Sequence, residues 1–431
     1  MQPDSRAFRR VAPCWLVTAI ALSTGVARAD DPNPYYIGGT VGITHDSNIS
    51  RVPNGTFGGQ TFAPVSDTYY SAGLIAGIDQ PFGRQHFTAS GNVKYNRFSH
   101  ETSFDNTSYG LDAELDWQAI DRLSGVLSAA LSQNLASYAA GTLAQPVTKK
   151  NVERSTQFSA SAEYGLRALL STEGLYRHQQ LSYSADVYQQ YDISQDSLRL
   201  GLKYRPSGLL TLGAYIQGTS GRYPHPLSGP ILPGLPLPPA APPLDYHRTD
   251  FTLTGYWIAT GQSTLDARIS ATRQSYDETS ASSLGDFTSA TGQLVWTYKP
   301  TGKLTFTTTL LRDTGIQAGF ASQQGDTSRL TNSVALAATY AATGKISLNG
   351  GLRYAHRSLK DPFPTTATTV NDGTDNIQSQ YLGLTYNAAR SVQIACTASH
   401  DARTVSDKLS IALSYPYTAT TFGCSAQLTL Q

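Results

Sequence analysis

The chain has 431 residues, of which 40% are hydrophobic and 15% charged, with 37 glycines and 25 tyrosines. That apolar share argues against disorder, and a net charge of +1 argues against nucleic acid as a partner. Beyond the N-terminal segment no apolar run is long enough for a transmembrane helix.

Residues 1–29 read as an export signal. Arg6, Arg9 and Arg10 form a positive start, Val11 to Val26 is apolar, and Ala27-Arg28-Ala29 supplies a small-x-small cleavage box. The remainder, 30–431, carries 28 basic and 30 acidic residues, a net charge of −2. Cys14 lies inside the signal and not in a lipobox, which leaves Cys396 and Cys424 for an oxidising compartment.

From there on the pattern has period two. Phe87, Ala89, Gly91, Val93 and Tyr95 alternate with His86, Thr88, Ser90, Asn92 and Lys94. Tyr109, Leu111, Ala113, Leu115 and Trp117 alternate with Gly110, Asp112, Glu114 and Asp116, and 197–204 and 265–272 repeat the scheme. This is strand patterning, and no segment has a helical period.

Seven strand patterns close on an aromatic residue followed by a short turn: Trp117, Tyr164, Tyr204, Trp257, Tyr298, Tyr340 and Tyr386. An eighth copy has Ile78 in that place, before Asp79-Gln80-Pro81-Phe82-Gly83. The aromatics share parity with the apolar face, as a membrane-interface girdle requires. Longer polar loops are expected at the other ends, around 46–67, 139–154, 182–194, 221–246, 277–285, 314–328, 358–375 and 403–416, with a short connection near 100–106. Eight periplasmic turns and nine external loops predict an all-β fold: a transmembrane antiparallel up-and-down β-barrel of about 18 strands with periplasmic termini, in the outer membrane of a Gram-negative cell.

The external loop 221–246 stands apart, with prolines at 224, 226, 230, 233, 236, 238, 239, 242 and 243 among Leu227, Ile231, Leu232, Leu235 and Leu237. Proline at this density blocks sheet pairing. A stiff flap over the pore mouth and a surface loop without a task are both open readings.

Nothing predicts catalysis, a metal or a cofactor: there is no HExxH, no GxSxG and no clustered cysteine spacing, and the eight histidines are scattered. His45-Asp46-Ser47 cannot form a relay, because neighbours on a strand point to opposite faces. Cys396 and Cys424 both fall on the lipid face. If their strands form a hairpin they lie opposite one another, at the edge of disulfide reach. A cross-strand disulfide and two free thiols both remain open.

The candidate pore-lining face carries Lys94, Asp112, Glu114, Asp116, Glu163, Arg177, Arg199, Lys203, Asp266, Arg268 and Arg353. The signs are mixed, and a one-sided ring for strong ion selectivity is missing. Such a lumen suits a hydrated polar solute.

The stretch Thr44-His45-Asp46-Ser47-Asn48-Ile49-Ser50-Arg51, with its D-x-N-x-x-R pattern, and the closing strand Thr421–Gln431 resemble the EpsL-type outer-membrane proteins of exopolysaccharide operons, within the β-barrel porin 2 group. The likeness runs through the strand rhythm of the whole exported chain. It implies a conduit for exopolysaccharide working with periplasmic export proteins; a solute-uptake porin is the alternative, and an outer-membrane polysaccharide-modifying enzyme a further one. The chain departs from the usual aromatic C-terminus of such barrels by ending Leu430-Gln431.

Overall fold

The computed structural model describes residues 33–57, 60–120, 122–136, 150–165, 169–226, 237, 239–277, 287–314, 330–359, 373–406 and 414–430. The expected export signal 1–29, the loop centre 227–236 and most of the longer connections lie outside these residues.

The strands are β1 (Tyr35–Asp46), a small hairpin of β2 (Gly55–Phe57) and β3 (Gln60–Phe62), then β4 (Asp67–Phe82), β5 (Gln85–Phe98), β6 (Asn106–Ile120), β7 (Leu123–Leu135), β8 (Val152–Tyr164), β9 (Leu170–Tyr183) and β10 (Ile193–Ser207). They continue as β11 (Leu210–Tyr223), β12 (Leu244–Thr260), β13 (Ser263–Tyr276), β14 (Phe287–Thr301), β15 (Leu304–Thr314), β16 (Leu330–Ala341), β17 (Ile346–Leu359), β18 (Gly373–Ala389), β19 (Val392–Val405) and β20 (Tyr417–Leu430). Apart from the small hairpin, each strand pairs antiparallel with its neighbours in the chain, and β1 pairs with both β4 and β20. The result is a closed barrel of 18 strands. Closure leaves no open sheet edge, the condition for a sheet to sit in hydrocarbon.

The outward face is apolar and exposed: Leu198, Leu200 and Leu202 on β10, Ile269 on β13, and Leu382 on β18 at 65% exposure. A soluble protein does not leave such a belt uncovered; lipid covers it here, and the barrel is an outer-membrane one. All seven closing aromatics lie at the short-turn end of this face. The gap at Ile78 is filled from the side, because Tyr35 on β1 pairs directly with Ile78 and is itself 61% exposed. At the same end, Gly83 takes φ 63° in the two-residue turn between Phe82 and Gln85, where a side chain would be strained.

The D-x-N-x-x-R pattern locks the seam. Asp46 accepts from the Arg51 guanidinium at 2.8 Å and from the Thr421 hydroxyl at 3.2 Å. Asn48, 1% exposed, donates to the carbonyls of Val52 and Thr418 and accepts from the Val52 N–H. Arg51 has φ 52°, a left-handed conformation held by its bonds to Asp46 and the Asn48 carbonyl.

Cys396 pairs with Cys424 on adjacent β19 and β20, with Cα atoms 4.0 Å apart and the sulfurs bonded.

Candidate functional site

All eleven charged residues singled out in the sequence have the parity opposite to the exposed apolar belt, so they sit on the inner wall. They do not form one ring. The densest group is on β8–β10, where Lys203 bridges Glu163 at 2.8 Å and also contacts Glu173. Arg199 donates to Glu173 at 2.8 Å, and Arg205 and Ser171 both donate to Glu163. The Arg199 guanidinium lies 4.8 Å over the ring of Tyr215, which fits against the bare backbone of Gly201: a Cβ there would be 2.1 Å from the ring. Glu173 and Arg205 were missed by the sequence reading. Leu169-Leu170 and Leu175 blur the parity of β9, and Arg205-Pro206-Ser207-Gly208 reads as a turn although β10 runs through it.

Arg177 is different. It shares an inter-strand row with Glu114, Ser128 and Ser159, the two serine hydroxyls being 2.7 Å apart. Arg177 itself makes no hydrogen bond or ion pair among the described residues, and its Nε is buried. Its nearest charges are like charges: Arg199, diagonal to it on β10, and Arg268 on β13. Both of these also have a buried Nε without a partner, while Arg268 approaches Asp313 at 3.8 Å. Three guanidiniums from β9, β10 and β13 thus face one region of the lumen. Asp112, Asp116 and Glu114 on β6 stand three strands away, about 14 Å at the usual strand spacing. Asp266 stands on the same face of β13 as Arg268 and feels its charge; Lys94 and Arg353 are on the wall outside these groups.

Beside this region runs a ladder of amides. Gln179 donates to Gln157 at 2.9 Å, Gln195 to Gln179 at 2.7 Å, and the Tyr246 hydroxyl to Gln195 at 2.6 Å. Tyr246 reaches Gln195 by lying across Gly221, where any Cβ would be 2.2 Å from its ring. This glycine is what permits the contact.

The outer mouth refines one expectation. The connection expected around 182–194 joins β9 to β10 at the outer end, but it is not fully solvated. A short 3-10 turn, Asp186–Tyr191, folds inward and buries Tyr188 to 3% exposure among Phe98, Phe104, Leu181, Tyr183, Ile193, Tyr223, Tyr246 and Tyr276. The cap is pinned by Asp192, which accepts from the Tyr183 N–H at 2.8 Å and pairs with His225 at 3.0 Å. Burial pushes the Asp192 carboxyl above its ordinary value, against those two bonds. The mouth is stiffened further by Arg248, which holds both oxygens of Asp250 and reaches Thr272 and Thr314, and by Asp375, which binds Arg357 and Ser414. The proline-rich loop is shorter than expected, since β11 extends to Tyr223 and β12 begins at Leu244; its centre lies outside the described residues.

His45 points outward and Asp46 inward, so no relay forms at 45–47. No group of three His, Cys, Asp or Glu able to hold a metal ion is found among the described residues.

No family model matches the chain, and no curated protein matches it. Solved structures do. The outer membrane protein OpdK from Pseudomonas aeruginosa aligns at 12% identity and a TM-score of 0.46, covering 92% of this chain and 99% of that one. OccK9 (OpdG) from the same organism gives 13% identity and 0.48, over 92% and 98%, and OpdQ gives 11% and 0.48, over 92% and 99%. The chain is similar to these as a barrel. By its closed sheet, lipid-facing belt and charged inner wall, the protein is an outer-membrane β-barrel in class. None of these matches carries the finer resemblance to exopolysaccharide-operon proteins.

Proposed function

We propose that this barrel is a diffusion channel for small hydrated solutes, favouring those that carry a negative charge. The observation behind this reading is Arg177, a lumen guanidinium with like charges for neighbours and no carboxylate of its own. The β8–β10 charges pair with one another and Arg268 approaches Asp313, so Arg177 is the positive charge that a passing ion meets on that side of the lumen. The hydroxyls and the amide ladder offer exchangeable hydrogen bonds to a solute shedding part of its water. Passage needs no chemistry and takes its direction from the concentration gradient.

The exopolysaccharide conduit, with periplasmic export partners, is the rival reading. The aromatic cap weighs against it, because a polymer chain needs an open mouth along its whole path. Purified protein in planar bilayers tests the proposal: a salt gradient is expected to give a reversal potential of anion-selective sign, and proteoliposomes to admit small carboxylates faster than neutral sugars of the same size. Loss of secreted polymer on gene deletion, with solute uptake unchanged, would sink it.

A further inference from the structure

Five of the eight histidines that look scattered in sequence come to one zone: His45, His178, His247, His356 and His400 all face outward at the loop end of the apolar belt. Outward-facing Arg97, Arg154, Arg222, Arg273 and Arg312 lie in the same zone. The two sides of the barrel then differ. Between β9 and β13 the basic side chains have carboxylate partners: His178 with Asp196 at 2.9 Å, Arg222 with Asp245 at 3.7 Å, and His247 with Asp277 at 3.8 Å. From β15 round through β20 to β1, no outward-facing described residue is Asp or Glu.

On that second side Arg312, Asn332, His356 and Asn376 occupy one continuous row across β15–β18. Each strand steps from hydrocarbon to polar there: Leu310 is followed outward by Arg312, Val334 by Asn332, and Tyr354 by His356. The hydrogen bonds within the row all use acceptors. Arg312 Nη1 donates to the Asn332 carbonyl oxygen at 3.0 Å, and the Tyr354 hydroxyl donates to that of Asn376 at 2.7 Å. His356 Nδ1 also meets the Asn376 oxygen, at 2.8 Å, which makes Nδ1 the protonated nitrogen. Both amide oxygens are thereby occupied. The remaining amide N–H groups and Arg312 Nη2 have no partner among the described residues, so the row presents amide donors and the charge of Arg312.

We infer that this row is a docking site for the phosphate groups of a phosphorylated glycolipid in the outer leaflet. A donor-rich, acid-free row at the height where hydrocarbon gives way to headgroups matches that ligand in charge, in hydrogen-bond sense and in position. The site depends on the barrel's place in the membrane and not on what the lumen conducts.

The test is co-purification of the full-length barrel from discs containing either intact lipopolysaccharide or the same lipid enzymatically stripped of phosphate, with bound lipid counted by native mass spectrometry. Wild type is expected to retain the phosphorylated lipid about tenfold better, the scale of one charge-assisted hydrogen bond. The double substitution Arg312→Gln with His356→Gln is expected to lose that preference, while Arg222→Gln with His247→Gln keeps it. Equal retention of the two lipids by wild type overturns the proposal, and that arm needs no variant to fold. So does a double variant, folded by its heat-modifiable gel mobility, that keeps the preference or changes only the number of copies per particle.

Discussion

Asn48 and Thr418 lie 370 residues apart in the chain and are joined by a hydrogen bond of 3.0 Å from the Asn48 amide to the Thr418 carbonyl. The bond crosses the seam where the first barrel strand meets the last, the contact that forms only when the sheet closes. With its two bonds to Val52, Asn48 satisfies three buried polar groups at once. Asn48→Ala is expected to destabilise the barrel by about 2–4 kcal/mol, near 1 kcal/mol for each lost bond. Thermal unfolding followed by gel mobility measures it, and an unchanged transition would show that the seam does not depend on this residue.

The second staple is covalent. A disulfide between Cys396 and Cys424 closes a segment of 28 residues, for which chain entropy predicts a stabilisation of roughly 3–4 kcal/mol. Protein purified without reductant should have a mass two hydrogens below the free-thiol value, and Cys396→Ser with Cys424→Ser should unfold at lower temperature. Two alkylatable thiols in the native protein would remove the staple.

Much of this architecture is legible along the sequence because both of its signals are local. Alternation on β6 or β10 needs only neighbouring residues, and an aromatic followed by a short turn marks one end of a strand. What stays hidden is whatever depends on which strands come together. Tyr35 covers the gap at Ile78 only through pairing of β1 with β4. Tyr188 reads as part of a polar loop, since Asp186, Gln189 and Gln190 surround it, and its burial comes from aromatic residues on strands far away in the chain. Parity puts the eleven wall charges on one face but says nothing of height, so the pairing of Lys203 with two glutamates and the isolation of Arg177 could not be foreseen. The D-x-N-x-x-R pattern was visible as a resemblance, and its physical work at the seam was not.

Arg177 carries a prediction for conductance. A single charge about 7 Å from an ion interacts with it by ~0.6 kcal/mol in water, about threefold in favour of an anion and threefold against a cation, so about sevenfold in their permeability ratio. Arg177→Gln should lower the anion-to-cation permeability ratio by about that factor, with total conductance little altered. Lys94→Gln, outside the guanidinium group, should change the ratio less. Equal effects from the two substitutions would mean that only net lumen charge matters and not the local field.

The cap at the outer mouth should respond to pH. Asp192 has its carboxyl pushed up by burial, so the folded cap holds the proton more tightly than the open one. A carboxyl with a raised native pKa adds most to stability below its ordinary range, near pH 4, and that contribution is lost as pH rises through the raised value. Acid therefore favours the closed cap, and single-channel current should fall on moving from pH 7 to pH 4. Asp192→Asn resembles the protonated acid at every pH, so its current should be low at pH 7 and flat across the range. Tyr188→Ala removes the ring at the centre of the cap, a loss that costs about 3–5 kcal/mol for a buried aromatic, and should raise the current at both pH values. A pH response that survives in Asp192→Asn would place the proton elsewhere, and His225, its partner at 3.0 Å, would be the residue to change next.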